Sequence, residues 1–243
     1  MYTPKRSLTA LVAFVMFFFM VDKPLRAQEE EGHPDELAAT GAMSSPRMHH
    51  AHEESHAHMA AHMKWSTPRP KTPADEQRAE EITKILRASL EKYRDHRIAE
   101  QEGFKPFLPQ FPQPMYHFTN YWQGFKAAFS FDPARPTSLL YKKTAAGYEL
   151  IGAMYTAPKR MSQEKLNERV PLSIAPWHAH VNLCFPPRGT DPKTVDWTRF
   201  GFRGSIATEE ECTQAGGRFW PQLFGWMIHV YPFEEAAEKV WRQ

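Results

Sequence analysis

Apolar positions fall along the chain in three successive patterns, and each predicts a different kind of element. Residues 8–21 are apolar except for Thr9, and Lys5 and Arg6 precede them. A run of about 14 residues is short of the roughly 20 that cross a bilayer, so with its basic start it reads as a secretory signal peptide over 1–27. Cleavage after Ala27 would leave Leu25 three places upstream, larger than the usual residue there, and the alternative is an uncleaved membrane anchor. Residues 28–73 show no apolar period and read as a disordered tail. From residue 74 the third pattern begins, with Ile82, Ile85, Leu86, Leu90 and Tyr93 at three- and four-residue spacing. That stripe predicts an amphipathic helix capped by Thr72 or Asp75, with Pro73 in its first turn and Gly103 at its end. His96 falls in its last turn, where a positive charge suits the helix dipole.

Beyond residue 105 the period shortens to two. Strands are expected over 115–121, 138–142, 148–156, 176–184 and 223–231, with a hairpin turn at 145–147. Short helices are expected over 163–169, 208–215 and 234–243. The fold class is therefore α+β: mainly an antiparallel β-sheet or a small barrel, with an N-terminal packing helix and a short C-terminal helix. It forms one domain over 74–243.

Alternation also sorts side chains by face. In 176–184, His178, His180, Asn182 and Cys184 share one side, and Trp177, Ala179, Val181 and Leu183 the other. In 223–231, Met227, His229 and Tyr231 oppose Trp226, Ile228 and Val230. In 115–121, His117 lies with Met115, Thr119 and Tyr121. Each strand presents imidazole on one side. Two histidines at i and i+2 on a strand point the same way and can share one metal ion. The unremarkable alternative is a polar outer face, or core histidines satisfied by hydrogen bonds. The strongest ligand candidates are His178, His180 and His229, joined by His117 and Met154. Three imidazoles with an open position suit zinc, and a thioether from Met154 or Met227 shifts the preference to copper.

Composition adds a second metal signal. Six of the twelve histidines, His49, His50, His52, His56, His58 and His62, lie within residues 48–63 beside three methionines. Such a segment can wrap an ion without a preformed pocket, and its alternative is a solvated linker. Net charge is +2, with no basic field of the kind that nucleic acid requires. The expected partner is a metal ion, with a membrane involved only if the signal segment is uncleaved. The expected location is the periplasm or the exterior. Outside the cytosol, Cys184 and Cys212 can pair as a disulfide, and the alternative is Cys184 as a thiolate ligand beside His180.

Several segments resemble a family of secreted bacterial domains with no established activity. They are Tyr93-Arg94-Asp95 with Gly103-Phe104, Met115-Tyr116-His117-Phe118, Phe131-Asp132-Pro133-Ala134-Arg135-Pro136-Thr137-Ser138-Leu139-Leu140-Tyr141, Leu150-Ile151-Gly152-Ala153-Met154-Tyr155-Thr156-Ala157-Pro158, and the stretch from Trp226 to His229-Val230. The resemblance covers roughly 75–235 and implies an exported domain. A glutamate is associated with the position of Met154, so this chain would have a softer site. The order of His178-x-His180 and a later His229 is also similar to the cupins, small metal-binding barrels, although the glycine spacing and intervening glutamate of that pattern are missing.

Three functional classes follow. The first is an exported transition-metal-binding protein with a His/Met-rich capture tail. The second is an exported mononuclear metalloenzyme, a cupin-like oxidoreductase or hydrolase, and the third a structural domain without metal. An enzyme needs an acid or base beside the metal, and Glu149, Glu168, Glu234 and Tyr231 are the candidates. The sequence has no nucleophile elbow, phosphate loop or HExxH helix.

Overall fold

A helix that cannot bury its apolar stripe alone packs on a sheet, and the stripe at 82–93 does so here. The computed structural model describes residues 61–243. The expected signal segment over 1–27 and residues 28–60 lie outside the described residues. Among those described, the chain is α+β, with eight strands in an antiparallel sheet and six α-helices.

Helix α1 (Pro73–Leu90) starts in a capping box: the Thr72 side chain accepts from Asp75 N, and the Asp75 carboxylate accepts from Thr72 N. Ala79, Ile82, Leu86 and Leu90 are buried, while Ile85 sits at the edge of the stripe, 37% exposed. The expected single helix to Gly103 is broken. After a 3-10 turn at Glu91–Arg94, Asp95 adopts an extended conformation and caps α2 (His96–Gln101) by accepting from Arg97 N. His96 therefore opens a helix instead of closing one. Its ring packs edge-on against Tyr148, at 5.3 Å between centroids.

The strands are β1 (Met63–Trp65), β2 (Lys105–Pro106), β3 (Tyr116–Thr119), β4 (Ser138–Thr144), β5 (Gly147–Ala157), β6 (His178–Phe185), β7 (Arg218–Gln222) and β8 (Trp226–Val230). Their order is β1-β6-β8-β5-β4-β3-β2, with β7 alongside the far half of β6. The remaining helices are α3 (Tyr121–Ala127), α4 (Gln163–Arg169), α5 (Glu209–Gln214) and α6 (Ala237–Val240). Strand β1 lies inside the stretch expected to be tail. Its three residues pair with the start of β6, Met63 opposite His180 and Trp65 opposite His178. The ordered body thus begins well before residue 74.

One face of the sheet carries the main core. Tyr116, Phe118, Leu139, Tyr141, Ala153, Tyr155, Trp177, Ala179, Trp226, Ile228 and Val230 pack there with the buried stripe of α1. The other face carries Leu140, Met154, Met227 and Tyr231, with Met115, Ile151 and Phe224 against them. A third, smaller core forms around Cys184, Cys212, Phe200 and Ile206. There the expected disulfide joins Cys184 to Cys212, with Cα atoms 5.6 Å apart. Cys184 is accordingly not a thiolate ligand.

The sheet is open at β1 and β2 but strongly curled. Strands β3 and β8 are three positions apart, which in a flat sheet separates them by about 14 Å. Yet the ring of His117 on β3 and that of His229 on β8 are 5.6 Å apart. A bulge between Leu140 and Tyr141 helps bend the sheet. Gly152 lets β5 approach β8 closely, because a Cβ there would collide with the carbonyl oxygen of Val230.

Candidate metal centre

Curling brings the inward-facing residues of non-adjacent strands together. From β6, alternation puts His178 and His180 on the inner face, and from β8 it puts Met227 and His229 there. Register then sets neighbours: His178 lies opposite Met227, and His229 opposite Met154. Residues directly opposite on antiparallel strands have touching side chains. Each of these two histidines therefore faces a thioether. The rings of His178 and His229 are 5.0 Å apart, and those of His178 and His180 are 5.9 Å apart.

The closest approach is between His117 Nε2 and His229 Nε2, at 3.4 Å. Two imidazoles bound to one ion through bonds of 2.0–2.1 Å at a tetrahedral angle would have nitrogens about 3.3 Å apart. The pair stands at the spacing of two ligands of one ion, and in the metal-free protein it can share a proton as a hydrogen bond. Among the described residues, no three His, Cys, Asp or Glu side chains are grouped to hold an ion. Any third or fourth ligand among the described residues must be a thioether, or His178 or His180 after a side-chain rotation.

Electrostatics keep these rings neutral. His117 and His178 are each pushed down to about 4, by burial first and then by the neighbouring His180. His229 falls well below the ordinary range through burial, then His178 and His117. Burial and His62 lower His180 as well. Neutral imidazole is the form that binds metal. His178 Nδ1 is buried with no hydrogen-bond partner, a state that costs about 1–3 kcal/mol. The amide of Gln243 is already engaged with the backbone of His229 and with Trp241 O.

A cleft of about 960 Å³ opens onto this face. His117, His180, Met154 and Met227 reach it from the sheet, and Phe107, Phe111, Trp197, Phe202 and Phe224 from the loops around it. Among the described residues, no Asp or Glu lines it.

The other expected site residues separate. His62 is buried and bound to the body, its Nε2 donating to Gly204 O at 2.7 Å. It is not a free tail ligand, because β1 begins at the next residue and holds it in place. His49, His50, His52, His56 and His58 lie outside the described residues. Asn182, expected on the side of His178 and His180, bonds to neither ring. Its φ is +55°, which breaks the alternation of β6, and its Nδ2 donates to Ala61 O. Glu149 and Glu168 are exposed, the latter paired with Lys165, and Glu234 pairs with Arg242. Tyr231 alone of the acid-base candidates is on the inner face, where its hydroxyl donates to Met115 Sδ at 3.5 Å. Trp197 and Phe202, which wall the cleft, come from the irregular section between β6 and α5, where no periodicity marks a side chain as inward.

No protein-family model, curated protein or solved structure matches this chain.

Proposed function

We propose that the protein binds one soft transition-metal ion, copper(I), on the inner face of its sheet, as an exported metal-handling protein. His117 and His229 supply two nitrogens, and Met154, with Met227 beside it, supplies sulfur. The observation that carries this reading is the 3.4 Å spacing of the two Nε2 atoms, beside a methionine in register with His229. Copper(I) is favoured over zinc because thioethers are the abundant nearby donors and carboxylates are missing from the cleft lining. The His/Met-rich segment before β1 fits a capture role in the same process.

The test is copper stoichiometry in a chain starting at residue 61, which keeps β1. Removing 28–73 would instead delete β1 and uncover His178 and His180. One equivalent of copper(I) is expected, lost in the His117→Leu/His229→Leu variant. Equal copper in both proteins would overturn the proposal.

A metalloenzyme is the second reading, favoured by a cleft large enough for a small molecule that reaches His117 and His180. Carbon monoxide discriminates the two. An infrared stretching band on the copper(I) protein would signal an open coordination position, and no band would leave the binding role.

A further inference from the structure

We infer that α3 and the adjoining rim of the cleft form a docking surface for an anionic lipid bilayer. The inference is independent of the metal reading. Helix α3 buries none of its residues. Tyr121 is 65% exposed, Trp122 63%, Phe125 56% and, just past its end, Phe129 75%. Trp122 and Phe125 stack at 5.4 Å, and Phe129 meets Phe125 edge-on at 5.3 Å, so the rings form one ridge.

The ridge is held firmly. Asn120 caps α3 by accepting from Gln123 N, and its Nδ2 donates to Glu102 O. At the other end the buried Arg169 guanidinium donates to Ala127 O at 2.6 Å and to Thr156 O at 3.3 Å. A buried cation thus fixes the end of a helix whose Tyr121, Trp122 and Phe125 are exposed. Tyr121, Gly124 and Ala128 line the cleft from the same helix, and the exposed Leu108 and Trp197 line it nearby. The aromatic ridge and the apolar cleft rim are therefore continuous.

Charge selects the occupant. Residues 104–131 contain no Asp or Glu, their ionised side chains are Lys105 and Lys126, and the flanking Glu102 and Asp132 are neutralised by Lys92 and Arg135 at 2.6 and 3.3 Å. Lys126 Nζ lies 5.8 Å from the Trp122 ring centroid. Trp, Tyr and Phe beside lysine, with no unpaired carboxylate next to them, match the headgroup layer of a bilayer: the rings enter the acyl boundary and the ammonium meets lipid phosphate. Contact is peripheral, since no helix among the described residues is long and apolar enough to cross a membrane.

The test is tryptophan quenching in the full chain with phosphatidylcholine–phosphatidylglycerol vesicles whose acyl chains are brominated. The apolar segment 8–21 contains no tryptophan, so quenching reports on the body even if that segment also inserts. Quenching is expected, and Trp122→Phe with Trp197→Phe should remove it. Replacing Trp65 and Trp220, exposed elsewhere, should leave it unchanged. The Trp122→Ser/Phe125→Ser/Phe129→Ser variant, shown to be folded by circular dichroism, should match unbrominated vesicles. Equal emission in brominated and plain vesicles would overturn the inference. So would dimerisation in sedimentation velocity that the triple variant abolishes while lipid gives no quenching, which would assign the ridge to a second copy.

Discussion

The two faces of the sheet are built from the same strands and differ in what they ask of each residue. On β8, Trp226, Ile228 and Val230 enter the main core, while Met227 and His229 turn to the inner face. The core face is closed by α1, and its residues contribute stability through apolar burial. The inner face is left open to a cleft, and it buries imidazoles with few hydrogen-bond partners. Such an arrangement costs stability, and a bound ion would offset that cost. Adjacent residues of one strand are thus divided between the core and the proposed metal site.

Substituting neighbours gives the largest contrast. Ile228 is fully buried, and Ile228→Ala should destabilise by about 2–5 kcal/mol through lost burial and the cavity left behind. On the other side, His117→Leu/His229→Leu replaces both partners of a weak polar contact with apolar groups of similar size. Its stability should stay within about 1 kcal/mol of the parent in urea unfolding without metal. A loss as large as that of Ile228→Ala would make the histidines structural and remove the contrast.

Acid acts on one face as well. His117 and His178 have folded values of about 4, against an ordinary 6.5. Between these values the unfolded chain binds protons that the folded chain excludes, so stability falls as pH drops from about 6.5 to about 4 and levels off below. For His117 alone the loss is on the order of 3 kcal/mol, and the coupled histidines do not simply add. Urea midpoints of the metal-free chain at pH 7, 6, 5 and 4 should show the decline, and His117→Leu/His229→Leu should make it shallower, leaving the part that His178 and His180 carry. An unchanged slope in the variant would mean that the acid sensitivity lies outside the His117–His229 pair.

Sequence made one face more legible than the other. Period-two alternation correctly separates Met227 and His229 from Ile228 and Val230, because it is a local property of an extended chain. The stripe of α1 is legible for the same reason, and the pairing of Cys184 with Cys212 follows from their being the chain's two cysteines. The meeting of His117 with His229 is a different matter. It depends on how far the sheet curls across β5 and β4, which no single strand encodes. Helix α3 carries a capping signal in Asn120 and aromatics at three- and four-residue spacing, Trp122, Phe125 and Phe129, but the period runs straight on from the alternating stretch 115–121 and marks an exposed face instead of a buried one. Strand β1 is hidden by its His- and Met-rich surroundings, and β7 by Pro221, which marks it as an edge or a loop. The break at Asp95 had a local signal, an aspartate able to cap the helix that follows.

The smallest effect is expected where the two regimes of β6 meet. Up to His180 the strand pairs with β1, and from Val181 onward it pairs with β7. Asn182 makes the transition with φ at +55°, and its amide ties the strand to Ala61 O at 3.1 Å. Asparagine tolerates this left-handed conformation better than other residues that carry a side chain. Asn182→Gly relieves the remaining strain but gives up the hydrogen bond and adds freedom to the unfolded chain, so the terms nearly cancel, within about 1 kcal/mol. Asn182→Ala loses the bond and keeps the strain, and should cost about 1–3 kcal/mol. Urea unfolding of both variants decides the point. If alanine is as benign as glycine, the left-handed turn does not hold the register of β6, and the separation of His178 and His180 from the Cys184 core must be maintained by the disulfide and β7 instead.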